Sequence, residues 1–540
     1  MLLSADNKPT SRAYLLLALL AALIFWPGQA QLPAVDRDEA RFAQATKQMI
    51  QTGDYTDIKY QNEHRYKKPV GIYWLQAAAV KLTGAGPADL WAYRLPSYIS
   101  AIGSVLLTAA IGTLLFGGNI GLLAGIMMAG SLLLNVEARM AKTDATLLFT
   151  VLAAQFALLS LWLRRTMHTG LATLFWAALA TGVLIKGPMI FLPVGFTLAG
   201  LCWHARSVKL LKDLQPLWGL PLMLVLIAPW FVAITMKTGG AFWTEAVSKD
   251  LLAKVASGKE SHGLPPGYYL ITYFGTFWPF APFIAMALPA VRQHWREDRI
   301  FALLAWIIPT WLVFEAVPTK LPHYTLPAFP ALAILAAHFW HAGFDAPRWW
   351  KGLCICVFCI TTAGLLGGFA ALPVLASGDV LWPLLLASVV SGIGLVFILS
   401  CAMPLLQHTL TLTLVSAIFL TTLFGLALPR WDYIWVARQV ENALATQTDC
   451  LDPLLVSARF NEPSLVFHVG TLTQLDGTGE LAASYISADP CQFALVGKKY
   501  EEDFLTHAKN LRIIPMSIAH IRGFSYGGGD RIDMTLYRKK

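Results

Sequence analysis

The sequence predicts an α-helical polytopic membrane protein that carries a small α/β domain at its C-terminal end. Three observations predict it. Of 540 residues, 56% are hydrophobic and only 14% are charged, far more apolar sequence than a soluble core needs. Long apolar runs recur between charged or Pro/Gly breaks up to about residue 428. Beyond Arg430 the pattern changes to short alternating runs.

Taken in order, the apolar runs predict about thirteen spans on a criterion of roughly 20 residues each. Their centres fall near Leu20, Ser104, Ile126, Ala154, Ala178, Gly195, Leu224, Ile284, Ala305, Ile334, Gly364, Val390 and Ile418. The first run, Ala13 to Phe25, follows Arg12 as a signal peptide does, yet Pro33 and a charge cluster come next. It reads as a retained anchor. Residues 31–92 then form an outer loop in which Ala40 to Ile50 and Val70 to Leu82 pair an apolar face with polar positions at helical spacing. Both read as helices lying along the interface.

Short basic loops set the orientation. Lys8 and Arg12, Arg164-Arg165, His204 to Lys212, Arg292 to Arg299 and Arg348 to Lys351 share one side when the spans alternate, and that side is predicted to be cytoplasmic. The first outer loop, Glu137 to Asp144, Lys237 to Tyr268, Glu315 to His323 and the whole tail fall on the other side. The net charge of +9 fits cytoplasmic loops and lipid headgroups. No basic-aromatic module accompanies it, so nucleic acid is not expected as a partner.

Residues 1–429 are thus expected to form the membrane domain and residues 430–540 the outer one. In the tail, Leu454 to Phe460, Ser464 to Gly470, Phe493 to Lys499 and Met534 to Arg538 read as strands, and Tyr500 to Asn510 as a helix. Gly527-Gly528-Gly529 follows no strand-to-helix phosphate pattern and reads as a hairpin turn. Of seven cysteines, five lie in or beside apolar spans, including the Cys356-x-x-Cys359 pair, which has no His partners there. Cys450 and Cys491 are the two in the tail, and an oxidising compartment favours a bridge between them.

The polar residues of the outer side gather into a few segments. Asp36-Arg37-Asp38-Glu39-Ala40-Arg41 places five charges in six residues after the first span. Arg65-Tyr66-Lys67-Lys68-Pro69 follows in the same loop, then Arg139 to Asp144 with Lys142, and Thr319-Lys320-Leu321-Pro322-His323-Tyr324. His262 adds a fifth position. Each has a plainer reading: a solvated loop for the first, an N-cap for Asp144, interfacial histidines for His262 and His323, and a span-ending break for Lys186-Gly187-Pro188. Together, carboxylates and cations at one depth suit transfer of a group away from a phosphate. Cations stabilise charge on the departing phosphate, and a carboxylate accepts the acceptor's proton or supports a cationic sugar carbon.

These motifs carry a resemblance. Asp38-Glu39-Ala40-Arg41-Phe42-Ala43, Tyr66-Lys67-Lys68-Pro69, Thr143-Asp144, Lys186-Gly187 and Lys320-Leu321-Pro322-His323-Tyr324, in this order, resemble bacterial membrane glycosyltransferases of the GT-C type. The similarity is to lipid A aminoarabinose transferases and protein O-mannosyltransferase-like enzymes, and it covers most of the membrane part. It implies a polyprenyl-phosphate-linked sugar as donor, inversion at the anomeric carbon, and lipid A, another envelope glycan or a protein hydroxyl as acceptor, in a bacterial inner membrane. It implies Asp38 as the essential first-loop acid and Asp144 as a second acid in the same cavity, with Glu39 grouped beside them as catalytic. Lys68 corresponds to the lysine that approaches the carrier phosphate. His262 and Tyr324 correspond to cavity-lining positions, with Arg41, Arg65, Tyr66, Lys67, Lys142, Lys186, Lys320 and His323 as further substrate contacts. The aminoarabinose enzymes read Glu-Lys-Pro where this chain reads Lys67-Lys68-Pro69, so a divalent metal shared by that acid and His262 is not expected. A lipid-linked sugar flippase is the competing reading. Flippases and transporters more often place charge at the midplane on broken helices of an inverted repeat, and neither feature is visible here.

Overall fold

The computed structural model describes residues 9–246, 264–400, 403–450 and 452–540. His262 lies outside the described residues. Among the described residues, seven helices are long and apolar enough to cross a membrane: Leu90–Phe116, Asp144–Arg164, Thr169–His204, Pro216–Thr238, Asp298–Ala316, Arg348–Ser377 and Leu405–Arg430. Ser11–Phe25, Gly118–Gly130 and Trp382–Ile398 are apolar but shorter. The difference from about thirteen expected spans has visible causes. The runs around Ala178 and Gly195 are joined in Thr169–His204, bent at a 3₁₀ turn over Gly187–Ile190. The runs around Ile284 and Ile334 shorten to Ala281–His294 and Phe329–His341.

Only 17% of the apolar window in Pro216–Thr238 and 22% of that in Arg348–Ser377 is buried within the protein. Leu217, Val225, Met236 and Leu375 stand exposed on these two helices. An apolar surface of that extent is stable in hydrocarbon, not water, so this is a multi-pass membrane protein. By contrast 78% of the window in Asp144–Arg164 is buried, so that helix is largely covered by the others.

The expected interfacial helices form as Asp38–Thr52 and Gly71–Thr83. Each ends on a glycine in the left-handed conformation, Gly53 and Gly84, which accepts positive φ without strain. Between them a two-residue ribbon pairs β1 (Lys59–Tyr60) with β2 (Glu63–His64). Gly71 is a place where backbones meet. A Cβ there would stand 2.8 Å from the main chain of Leu184, two residues from Lys186.

The tail folds into a four-stranded sheet of order β3-β4-β6-β5, formed by Leu454–Ala458, Gln492–Gly497, Asp530–Lys539 and Pro515–Ser525. β3 and β4 are parallel and joined through Pro463–Val469 and Gly479–Ala488; the other pairings are antiparallel. The segment Ser464 to Gly470, expected as a strand, is therefore helical. Pro463 opens it as the first helical residue, and Leu465, Val466 and Phe467 pack inward from it. Pro515–Ser525 is a strand that short-range alternation did not reveal, because its partner β6 buries only part of it. Gly527 to Gly529 lie in the β5–β6 hairpin turn. Cys450 and Cys491 are joined by a disulfide.

The C-terminal domain sits directly on the first loop. Phe467 packs with Ala34, Ala40, Ala43, Val80 and Tyr93 in one buried cluster. The Lys47 ammonium donates to the Phe467 carbonyl, and the Gln61 amide donates to the carbonyls of Thr471 and Thr473.

Candidate active site

Asp38 opens the first interfacial helix, where the partial positive charge of the helix N-terminus favours a carboxylate. Its predecessor Arg37 has φ 67° and ψ −100°, a backbone conformation costly for a non-glycine residue. The C-terminal domain holds it there. The Asp36 amide donates to the Tyr526 hydroxyl at 2.7 Å, and the Arg37 guanidinium donates to the Gly527 carbonyl. The hairpin turn of the tail thus grips the two residues before Asp38.

A cavity of about 990 Å³ opens beside this helix. Its polar end is lined by Asp38 and Asp144 together with five cations, Arg65, Lys67, Lys68, Lys142 and Lys186, and by His323 and Tyr324. Away from that end the walls are apolar, from Leu192 through Leu224, Ile227, Phe231, Val232 and Met236 to Val313 and Phe314. One enclosure therefore joins a cationic floor to an apolar channel.

The floor is an ion-pair network. Asp144, first residue of its helix, pairs with Lys186 and stands 3.6 Å from both the Lys142 ammonium and His323 Nε2. Lys142 also pairs with buried Glu137 at 2.9 Å. Lys186 ends its helix just before Gly187, which takes φ 66°, so the predicted span break is also what aims this lysine at Asp144. Burial opposes charge on Lys142, but Glu137 and Asp144 outweigh it and raise its pKa. Burial lowers His323 to about 3 against the opposing pull of Asp144, leaving a neutral imidazole. Burial also works against Asp38, yet Lys142 and Arg65 prevail and hold it below the usual carboxylate range. It is ionised at neutral pH.

Other expected site residues lie elsewhere. Glu39 faces away from the cavity and is wholly buried: both oxygens contact Arg94 at 2.8 Å, and they accept from the amides of Ala141 at 2.7 Å and Val35 at 3.0 Å. The Tyr66 hydroxyl donates to Asp57 at 2.9 Å behind the lining. The Lys320 ammonium caps a helix end, donating to the carbonyls of Phe314 and Val317. Arg41 is not among the lining residues. The residue the sequence underplayed is Glu137. An acid closing an apolar run five residues before Lys142 is the signal that could have found it.

Asp36 supplies a pH prediction. Burial pushes its carboxyl up to about 7 from 3.8, with Glu462 adding to the rise and Ser464 and Tyr526 opposing it. An acid whose folded pKa is raised binds its proton more tightly when folded, so its contribution to stability is lost as pH climbs from 3.8 to about 7. Asp36→Asn is expected to match the wild type in melting temperature near pH 4, to exceed it increasingly through pH 7, and to keep a constant margin above. A margin independent of pH would show that Asp36 is not the group titrating at this contact.

Comparisons with known proteins agree with this architecture. Residues 67–232 match the family described as dolichyl-phosphate-mannose-protein mannosyltransferase. The undecaprenyl phosphate-alpha-4-amino-4-deoxy-L-arabinose arabinosyl transferase of Pectobacterium carotovorum is 29% identical over 320 residues, covering 56% of this chain and 54% of the relative. The Yersinia pestis protein of that name is 26% identical over 342 residues, covering 60% and 58%. The chain thus spans little more than half the length of these curated transferases. Among solved structures, ArnT from Cupriavidus metallidurans bound to undecaprenyl phosphate superposes with a TM-score of 0.75 at 19% identity, covering 97% of this chain and 98% of that one. The archaeal oligosaccharyltransferase AglB from Archaeoglobus fulgidus follows with a TM-score of 0.52 at 12% identity, covering 93% and 68%. The fold is therefore that of the ArnT-like membrane transferases, and the chain resembles the aminoarabinose transferases in sequence.

Proposed function

We propose that this protein is a glycosyltransferase that moves a sugar from a polyprenyl-phosphate carrier to an envelope acceptor on the outer face of a bacterial inner membrane, with inversion. Residues 1–429 would be its catalytic membrane domain, with the N-terminus cytoplasmic, and residues 430–540 a periplasmic domain. The observation that carries this reading is the single cavity whose cationic floor continues into an apolar channel. A phosphate headgroup with a long prenyl chain matches both halves at once. The relatives named for an undecaprenyl-phosphate donor, and the similar structure with undecaprenyl phosphate bound, support the same class of donor.

In the proposed step an acceptor hydroxyl oxygen attacks the anomeric carbon from the face opposite the phosphate. The new carbon–oxygen bond forms as the bond to the phosphate oxygen breaks. Asp38 takes the hydroxyl proton, and the bonding electron pair leaves on the carrier phosphate beside Lys68 and Arg65. Asp144, paired with Lys186 and close to Lys142, fixes these ammonium groups in place. Lipid A, a related glycan and a protein hydroxyl all fit as acceptors, the last because of the match to protein mannosyltransferases. Mass spectrometry of lipid A and envelope proteins from a strain lacking the protein distinguishes them.

A divalent metal does not fit the residues present. Lys67 stands where the aminoarabinose enzymes have an acid, and among the described residues the ligand-type cluster Glu137, Asp144 and His323 already encloses the Lys142 ammonium.

The test is transfer by the purified protein in liposomes containing a polyprenyl-phosphate sugar. Release of carrier phosphate with an inverted product supports the proposal. Movement of intact donor across the bilayer, without cleavage, would establish the flippase instead. Lys68→Ala, assayed at saturating donor, should lower kcat by about 10²–10³ if Lys68 stabilises the leaving phosphate. A raised KM with normal kcat would assign it to donor capture alone. Lys67→Ala is the control for a general effect of basic charge.

A further inference from the structure

Glu137, Asp144 and His323 offer one ligand atom each, and all three atoms lie within 4.8 Å of one another. Two metal bonds of about 2.0–2.2 Å to carboxylate oxygen or imidazole nitrogen set ligand atoms at most about 4.4 Å apart, so small side-chain adjustments would complete a three-ligand site. The group is not an acidic patch on a surface: Glu137 and Asp144 are buried, and one Glu137 oxygen has no hydrogen-bond partner. What stands among the three ligands is a side chain. The Lys142 Nζ lies 2.9 Å from Glu137 Oε1, 3.3 Å from His323 Nδ1 and 3.6 Å from Asp144 Oδ2. The ammonium has Glu137 and His323 at hydrogen-bond distance and Asp144 as an ion-pair partner just beyond it. A divalent ion placed among the same atoms would stand against a fixed positive charge at close range, in surroundings that screen it weakly.

We infer that Lys142 is a built-in cation occupying a latent metal site formed by Glu137, Asp144 and His323, and that removing its ammonium converts the cluster into a divalent-metal site. The inference goes beyond the proposed transferase activity and does not depend on it, because its readout is metal binding. Two points on the chain support the conversion in chemical terms. Asp144 keeps Lys186, its nearer ion-pair partner, when Lys142 is cut. The ligand set of one imidazole and two carboxylates suits zinc or cobalt and leaves an open position towards the cavity.

The experiment uses the full-length protein in detergent, stripped with chelator and dialysed against Co²⁺, whose visible absorption reports imidazole and carboxylate ligation. Wild type is expected to show no His323-dependent Co²⁺ spectrum and no shift in melting temperature with Co²⁺. Lys142→Ala is expected to bind one equivalent, to show the spectrum, and to melt at higher temperature with Co²⁺ present. Lys142→Ala combined with His323→Ala is expected to lose all three signs. Lys142→Met keeps the apolar stem and serves if the alanine variant does not fold. A folded Lys142→Ala or Lys142→Met that binds no Co²⁺ through His323 overturns the latent site. A wild type that already shows the His323-dependent spectrum overturns Lys142 as its occupant.

Discussion

Asp38→Asn is expected to fold like the wild type and to lose about 10²–10⁴ in kcat, the range that a positioned proton acceptor contributes. The side chain is exposed to the cavity and packs no apolar area, so its loss removes little from the fold. The expected stability cost is the lost interaction of one carboxylate with a helix N-terminus, about 0.3–1 kcal/mol. Its carboxylate is kept ionised against burial by Lys142 and Arg65, so the proton acceptor is in its basic form at neutral pH, whereas the asparagine amide offers no base at any working pH. The measurement is single-turnover transfer beside a thermal melt of the same preparation. Transfer at the wild-type rate would remove Asp38 from the chemistry.

Glu39→Gln is expected to do the opposite, one residue away. Its carboxylate and the Arg94 guanidinium are both fully buried and meet at 2.8 Å. Arg94 also donates to the carbonyls of Gln29 at 2.8 Å, Leu32 at 2.9 Å and Pro33 at 3.1 Å, so this pair ties the end of the first span to the helix that carries Asp38. Neutralising one partner strands a buried guanidinium, at a cost of about 3–5 kcal/mol. The expected signs are a sharply lower melting temperature and poor recovery of folded protein, with near-normal kcat in whatever fraction remains folded. Glu39→Leu combined with Arg94→Met should recover most of that stability, because no unpaired charge is left. A Glu39→Gln variant as stable as wild type yet inactive would return Glu39 to the catalytic set.

These two neighbours show where reading the sequence reaches its limit. Asp38 and Glu39 have the same chemistry, the same motif and adjacent positions, and on a helix they point roughly 100° apart. Only the packing of that helix decides which faces the cavity. The same holds for Lys142 and Lys320. Both are lysines in loops between apolar runs, yet one lines the cavity and the other caps a helix. The tail shows a related limit: Pro463–Val469 alternates well enough to pass as a strand, but a proline start and burial of consecutive residues make it a helix.

By itself the sequence determined what the solvent dictates. Hydrocarbon demands long apolar helices, water admits the charged loops, and those two requirements are written in composition and run length. They gave the membrane fold, the helices expected at Ala40 to Ile50 and Val70 to Leu82 and formed as Asp38–Thr52 and Gly71–Thr83, and the α/β character of the tail. The tertiary structure alone decided what depends on distance between residues far apart in the chain. It brought Lys186 to Asp144, enclosed Lys142 between Glu137 and His323, and set the tail's hairpin against Asp36 and Arg37. Hydrophobic partitioning acts on each segment separately and so is legible in order along the chain. Ion pairing depends on how the helices pack, and a linear pattern carries no record of that.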